Sequence, residues 1–253
     1  MFSEGDGYEQ FMGRWSRLLA PLFVDFAQVG AGDVVLDVGS GTGALPLAVA
    51  AVGSGRVTGI ERSESYVRHA QQHAASDRVR FQVGDATALP FPDNTFDRVL
   101  SMLVLNFVPA PAVALDQMIR VTRPGGVVAS AVWDYGDGMG MLRMFWDEAV
   151  AQNPEAEPRD ERHMPLCGRG ALAELWRDHG LHGVDQQALT IEMAFSSFDD
   201  YWQPFLLGQG PAGAYVTSLG EFDRCALQSR LQRRWAAGLS LNARAWAVRG
   251  VVT

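Results

Sequence analysis

The spacing of apolar positions changes character several times along the chain. Phe11, Met12, Trp15, Leu18, Leu19, Leu22, Phe23 and Phe26 recur at helical intervals. They predict an amphipathic helix over 8–29, with a break near Pro21. After the turn Gly30-Ala31-Gly32-Asp33, the run 34–38 is short, β-branched and apolar, the pattern of a strand buried on both faces. Strand and helix patterns then alternate. Strands are expected at 56–61, 79–83, 96–102 and 127–133. Helices are expected at 43–52, from Ser63 as a possible N-cap, and at 111–122, ended by Arg123-Pro124-Gly125-Gly126. Five strands separated by helices over about a hundred residues describe a parallel sheet wound on both faces.

Beyond Asp134 the rhythm changes. Helical spacing returns at 139–151 and 169–179, with Gly180 as a stop. Between them, 152–165 is rich in Pro, Glu and Arg and reads as an exposed linker. Residues 184–195 and 241–252 are strand-like and are separated by an irregular helical stretch, 196–238, carrying Trp202, Phe205 and Tyr215. The expectation is an α/β, Rossmann-like domain over 1–253. It has a seven-stranded mixed sheet, a reversed C-terminal hairpin, helices on both faces and a helical lid insertion. Its cofactor-binding core spans 30–135, and 136–183 and 196–238 are substrate-covering insertions.

Composition narrows the function. The chain of 253 residues carries a formal net charge of −8, with 47% hydrophobic residues. Phosphate contacts supply most nucleic-acid affinity, so an acidic chain whose nearest basic cluster is Arg224, Arg230, Arg233 and Arg234 argues against a nucleic-acid partner. The longest uncharged apolar run, 99–108, is about half what a bilayer span needs. Two distant cysteines and an acidic, polar start fit a reduced, cytoplasmic protein. No histidine is placed as a catalytic base or metal ligand. His69 and His73 read as surface neighbours, His179 and His182 flank a helix stop, and His163 lies in the expected linker. The catalytic residues stay unassigned, and no metal is expected.

The candidate chemistry lies in Val34-Val35-Leu36-Asp37-Val38-Gly39-Ser40-Gly41-Thr42-Gly43. Glycines between a strand and a helix permit positive φ and close approach of a ligand to backbone amides. Asp37, Glu61 and Asp85 stand at the carboxyl ends of three successive strands, where open α/β sheets bind ligands. Gly39-x-Gly41-x-x-Ala44 also satisfies a dinucleotide pattern, so an NAD(P)-dependent oxidoreductase is one alternative. Against it, a carboxylate at Asp37 is a poor neighbour for a pyrophosphate, and 84–133 holds no second glycine turn.

As a set, 35–43, Gly84-Asp85-Ala86-Thr87-Ala88-Leu89-Pro90-Phe91-Pro92-Asp93-Asn94-Thr95-Phe96-Asp97 and Arg123-Pro124-Gly125-Gly126-Val127-Val128 resemble the motifs of class I S-adenosylmethionine-dependent methyltransferases. The resemblance covers 8–135 and extends to the group that includes the ubiquinone and menaquinone biosynthesis methyltransferases. It implies S-adenosyl-L-methionine as cofactor, S-adenosyl-L-homocysteine as product, and methyl transfer to a small-molecule O-, C- or N-nucleophile. A catalytically silent S-adenosylmethionine-binding protein is the other alternative. The resemblance also implies site roles: Asp37 on the methionyl ammonium, Gly39, Ser40 and Gly41 along the methionine and ribose, and Glu61 on the ribose diol. Arg62 would pack on the adenine, Asp85 and Ala86 at its edge, with Ser101 and Met102 near the methionyl part and Tyr8, Met12 and Trp15 as cover. An aromatic lid with Trp202, Phe205 and Tyr215 suits an apolar or aromatic acceptor.

Overall fold

The computed structural model describes residues 4–74, 77–236 and 241–253. Seven strands form one sheet in the order β3-β2-β1-β4-β5-β7-β6. Strands β1 (Val34–Val38), β2 (Arg56–Glu61), β3 (Val79–Val83), β4 (Phe96–Met102) and β5 (Thr122–Trp133) are mutually parallel. The last strand, β7 (Leu241–Val251), runs antiparallel between β5 and β6 (His182–Met193). Every residue from Val127 to Trp133 is buried, which requires cover on both faces of the sheet. The edge strand β6 instead alternates, with Leu189, Ile191 and Met193 inward and polar neighbours outward.

Helices α3 (Ala44–Ala51), α4 (Glu64–His73) and α5 (Pro111–Val121) join the parallel strands. The Ser63 hydroxyl caps α4 by accepting from the Tyr66 amide at 3.4 Å. Strand β5 begins five residues earlier than the sequence pattern indicates. Thr122 pairs with Phe96, and the register shifts before Arg98 meets Val127. The Pro124-Gly125 bend is absorbed as a bulge, with Gly125 at φ 77°.

The N-terminal helix is interrupted, but not at Pro21. Helix α1 (Glu4–Tyr8) runs into a wide π-turn at Glu9–Gly13, then into α2 (Arg14–Phe26), which carries Pro21 without a break. Pro21 and Arg17 lie on the exposed side, so the Arg17 carbonyl that a proline leaves unpaired can turn to water.

The second half also departs from expectation. The segment 152–165 is not an exposed linker: Asp160 and Glu161 within it are buried. Its two short 3₁₀ turns lie against α6 (Gly140–Gln152), where Asp160 is held by Arg143 and by Arg162. Helix α7 (Ala171–Asp178) leads into β6, and the Trp176 indole donates to the Val128 carbonyl at 3.0 Å. Between β6 and β7 stand α8 (Phe198–Trp202), α9 (Gly210–Ser218) and α10 (Glu221–Ala236). Phe205 stacks on Phe145 of α6 at 4.7 Å and meets Phe11 edge-on at 5.2 Å. One aromatic layer therefore joins the N-terminal segment, α6 and the 196–236 region.

Candidate active site

The glycine loop is anchored to the neighbouring strand. The amides of Gly39 and Ser40 both donate to the Ile60 carbonyl, at 2.7 and 3.0 Å. Gly39 has φ 80°, and a Cβ there would lie 2.5 Å from the Val104 side chain. Steric room and backbone conformation both demand glycine. Glu61 bridges the end of β2 back to the loop: one carboxylate oxygen accepts from the Gly41 amide at 3.0 Å, the other from the Ser63 amide at 2.9 Å. From the opposite side, the Thr42 hydroxyl donates to Glu9 in the π-turn, and Glu9 is also paired with Arg17. The N-terminal segment is thus strapped directly to the loop.

Asp37, on β1 two residues before the loop, is buried at 1% exposure. Its Oδ1 has no hydrogen-bond partner among the described residues, and neither has the buried Ser40 hydroxyl. Burial, then the nearby Glu61 charge, pushes the Asp37 carboxyl well above the usual carboxylate range. A buried carboxylate oxygen without a donor is costly unless a ligand satisfies it. A cationic group with N–H donors is the natural complement.

Two cavities open on this loop. The inner one, of about 370 Å³, is lined by Asp37, Ser40, Gly41, Glu61 and Met102, with Tyr8 and Met12 over it. The second, of about 360 Å³, is lined by Arg62, Gly84, Asp85, Ala86 and Thr87. Both share Gly39, Glu61, Val104 and Phe107. The result is an elongated crevice with Glu61 at its waist. Asp85 is exposed to the second cavity and accepts from the Thr87 amide and hydroxyl at 2.8 and 2.7 Å, which hold its carboxyl below the ordinary range. Leu103, which lines the inner cavity, is a non-glycine residue at φ 66°, held there by its amide donating to the Ala131 carbonyl at 2.7 Å.

Several sequence-stressed residues lie elsewhere. Ser101, within β4, is buried and donates to the Val38 carbonyl of neighbouring β1 at 2.9 Å; it lines neither cavity. Trp15 packs on Phe195 at 5.0 Å rather than over the crevice. Trp202, Phe205 and Tyr215 are buried in the aromatic layer, and the inserted region instead lends Gln209, Gly210 and Pro211 to the inner cavity. His69 and His73 stack at 4.3 Å, and His179 and His163 face Asp116 and Glu157. None of these four histidines lines either cavity.

The residues that sequence reasoning missed are Trp133 and Tyr135, Leu142 on α6, and Glu161. Glu161 is 4% exposed and accepts a hydrogen bond from the Trp146 indole. Burial raises its carboxyl from the ordinary 4.5 to about 7. Tyr135, also buried, is pushed well above the ordinary tyrosine range by burial and by the Glu161 charge.

The sheet order and crevice are those of the Rossmann-like α/β class with a reversed final strand. Residues 36–130 match a family model described as a methyltransferase domain. An uncharacterized Mycobacterium tuberculosis protein is 35% identical over 223 residues, covering 85% of this chain and 77% of that one. A 2-methyl-6-phytyl-1,4-hydroquinone methyltransferase of Synechocystis is 37% identical over 185 residues, covering 71% of this chain and 56% of that enzyme. The fold is shared with Haemonchus contortus phosphoethanolamine N-methyltransferase 2, solved with phosphomonomethylethanolamine and S-adenosylhomocysteine. That match has a TM-score of 0.59 and 19% identity and covers 97% of this chain and 56% of that one. The chain belongs to the class I S-adenosylmethionine-dependent methyltransferases, and S-adenosyl-L-methionine is its cofactor. Among the described residues, no helix is long and apolar enough to cross a membrane.

Proposed function

We propose that the chain transfers a methyl group from S-adenosyl-L-methionine to an apolar or aromatic small molecule held in the inner cavity. The single observation that carries this reading is the unpartnered Asp37 carboxylate oxygen, buried beside a glycine loop where two cavities meet. When bound, the cofactor supplies a methyl group already activated on a sulfonium, so alignment and water exclusion are the protein's main tasks.

Asp37 holds the methionyl ammonium, and the Ser40 hydroxyl serves as a further polar contact. Glu61 keeps lone pairs free beyond its two backbone bonds and takes the ribose diol. Gly39 and Gly41 present backbone at close approach, with Met102 beside the methionyl part. Arg62, Asp85 and Ala86 surround the adenine in the second cavity. The stretches 136–183 and 196–236 act as substrate cover, supplying Leu142, Glu161 and Pro211 to the cavity wall; residues 237 and 238 of the expected insertion lie outside the described residues. Part of the wall, formed by Met12, Trp133, Leu142 and Pro211, is apolar, which suits an aromatic acceptor beside the polar groups that hold the cofactor. The name of the Synechocystis relative, a hydroquinone methyltransferase, supports the same acceptor chemistry.

The test is transfer of isotope-labelled methyl from the cofactor to a panel of phenols, hydroquinones and aliphatic amines of similar size. Labelled product is expected from the aromatic hydroxyl compounds first. Label appearing only on the amines would contradict the acceptor assignment.

A further inference from the structure

The inner cavity has a second neighbour besides the adenine side. An outer cavity of about 450 Å³ is lined by Arg159, His163, Met164, Pro165 and Tyr215, and it shares Glu161 and Pro211 with the inner one. Glu161 therefore stands in the partition between the inner cavity and the outer surface, on a wall that the adenine-side cavity does not touch. An acceptor reaching the cofactor's methyl from the side away from the nucleoside would pass this carboxylate.

Glu161 is held firmly. The Trp146 indole and the backbone amides of Glu161 and Ala212 donate to it. Charged and titratable groups face it from several elements, among them Arg159, His163 and Tyr215 on the outer cavity. On its own segment, Asp160 is paired with Arg143 and Arg162, and its charge still helps to raise the Glu161 carboxyl. From the end of β5 comes Tyr135, from α6 the neutral Trp146, and from α9 only the Ala212 amide. Across the same cavity lie Asp37, Glu61 and Tyr8. Arg143 and Arg162 are paired with Asp160 and His163 with Glu157, while Arg159 lies over the Tyr215 ring; among the described residues none of these cations forms an ion pair with Glu161, which leaves its carboxylate able to accept a proton.

Resting on the placement of the cofactor's amino-acid end at Asp37, we propose that Glu161 is the catalytic residue that takes the proton from a phenolic or enolic acceptor. As the acceptor O–H bond breaks, its proton goes to the Glu161 carboxylate and its oxygen forms a bond to the methyl carbon. The carbon–sulfur bond breaks with its electron pair left on sulfur, which becomes a neutral thioether. A sulfonium and a carboxylate thus become two neutral groups, a change favoured where burial penalises charge, as it does at Glu161. A base whose proton affinity sits near neutral pH is matched to this task.

The test uses protein loaded with S-adenosylhomocysteine and two probes, 2-naphthol and naphthalene, with binding measured below and above pH 7. In the wild type, 2-naphthol is expected to bind at least about tenfold more tightly above pH 7, where Glu161 is ionised and accepts its hydroxyl proton in a hydrogen bond. Naphthalene should show no such dependence. Glu161→Gln is expected to abolish the pH dependence. With the methylated cofactor and 2-naphthol, its kcat should fall by about 100-fold or more. Naphthol binding that is equally tight and equally pH-dependent in Glu161→Gln, or absent from the wild type, would overturn the proposal. Should that variant fail to fold, Trp146→Phe carries the test: loss of the indole donor should move the binding transition to higher pH, and an unmoved transition counts against Glu161. Adenosylhomocysteine affinity is read on the same samples. Its absence from the wild type defeats the cofactor placement, whereas intact cofactor affinity with Glu161-independent naphthol binding defeats this inference alone.

Discussion

Glu61 accepts a hydrogen bond from the Gly41 amide at 3.0 Å, so the last residue of β2 holds the loop that follows β1. The same carboxylate accepts from the Ser63 amide at 2.9 Å. Its position at the waist of the crevice gives it two duties, shaping the loop and meeting a ligand. Glu61→Ala should weaken adenosylhomocysteine binding by about 10- to 100-fold, the worth of one charge-assisted hydrogen-bond set. It should also lower the melting temperature. Calorimetric titration with thermal unfolding checks both, and an unchanged affinity would remove Glu61 from the site.

Gly39→Ala addresses the loop itself. The substitution must adopt φ 80° and place a Cβ 2.5 Å from Val104. We expect a loss of about 1–3 kcal/mol in stability and a larger loss in cofactor affinity, because the strain falls where the ligand approaches. Chemical denaturation measures the first. Gly53→Ala, also at positive φ but with open space around its Cβ, is the control for backbone strain alone.

Thr42 tests the strap between the N-terminal segment and the loop. Thr42→Val removes its donor to Glu9 while keeping shape. Amide exchange in 4–13 should accelerate, and cofactor affinity should fall by about threefold to tenfold, the worth of about one hydrogen bond. Exchange unchanged in that segment would show that the hydrophobic contacts of Phe11 and Met12 suffice to hold it.

Stability should fall as pH rises through neutrality, because of Glu161. Its carboxyl is raised from 4.5 to about 7 in the folded protein. A raised value means that the fold favours the protonated form. The stabilisation is complete below about 4.5 and is lost as pH rises through about 7. At about 1.4 kcal/mol per pH unit this is on the order of 3 kcal/mol. Asp37 acts in the same direction, so the comparison must be with Glu161→Gln, whose denaturation midpoint should vary less between pH 5 and pH 8. Parallel curves for the two proteins would show that Glu161 does not titrate in this range.

Much of the sheet was legible because its physics is local. Buried parallel strands read as short apolar runs, and the loop glycines and the acids Asp37, Glu61 and Asp85 fall at their ends by chain position alone. Glu161 was illegible for the opposite reason. Pro154, Glu155, Glu157, Pro158 and Arg159 around it have the composition of a solvated linker. What buries Glu161 is Trp146, 15 residues back, and α9, some fifty residues on. Trp202, Phe205 and Tyr215 show a related ambiguity. Aromatic residues look the same in sequence whether they face a ligand or, as here, other rings: Trp202 meets Phe198, Phe205 meets Phe145 and Tyr215 meets Trp146. Pro21 misled because its effect depends on which side of the helix its missing hydrogen bond falls.

The central claim is that Asp37 receives the cationic end of the cofactor. It is tested most directly by the calorimetric affinity of S-adenosylhomocysteine for the wild type and for Asp37→Asn. Burial already raises the Asp37 carboxyl in the free protein, so its ionised form destabilises the fold near neutral pH, and Asp37→Asn should unfold no more easily than the wild type. Its affinity should nevertheless fall by about 100-fold or more, because the buried ammonium loses its charged partner. A folded Asp37→Asn protein that binds adenosylhomocysteine as tightly as the wild type would contradict the account.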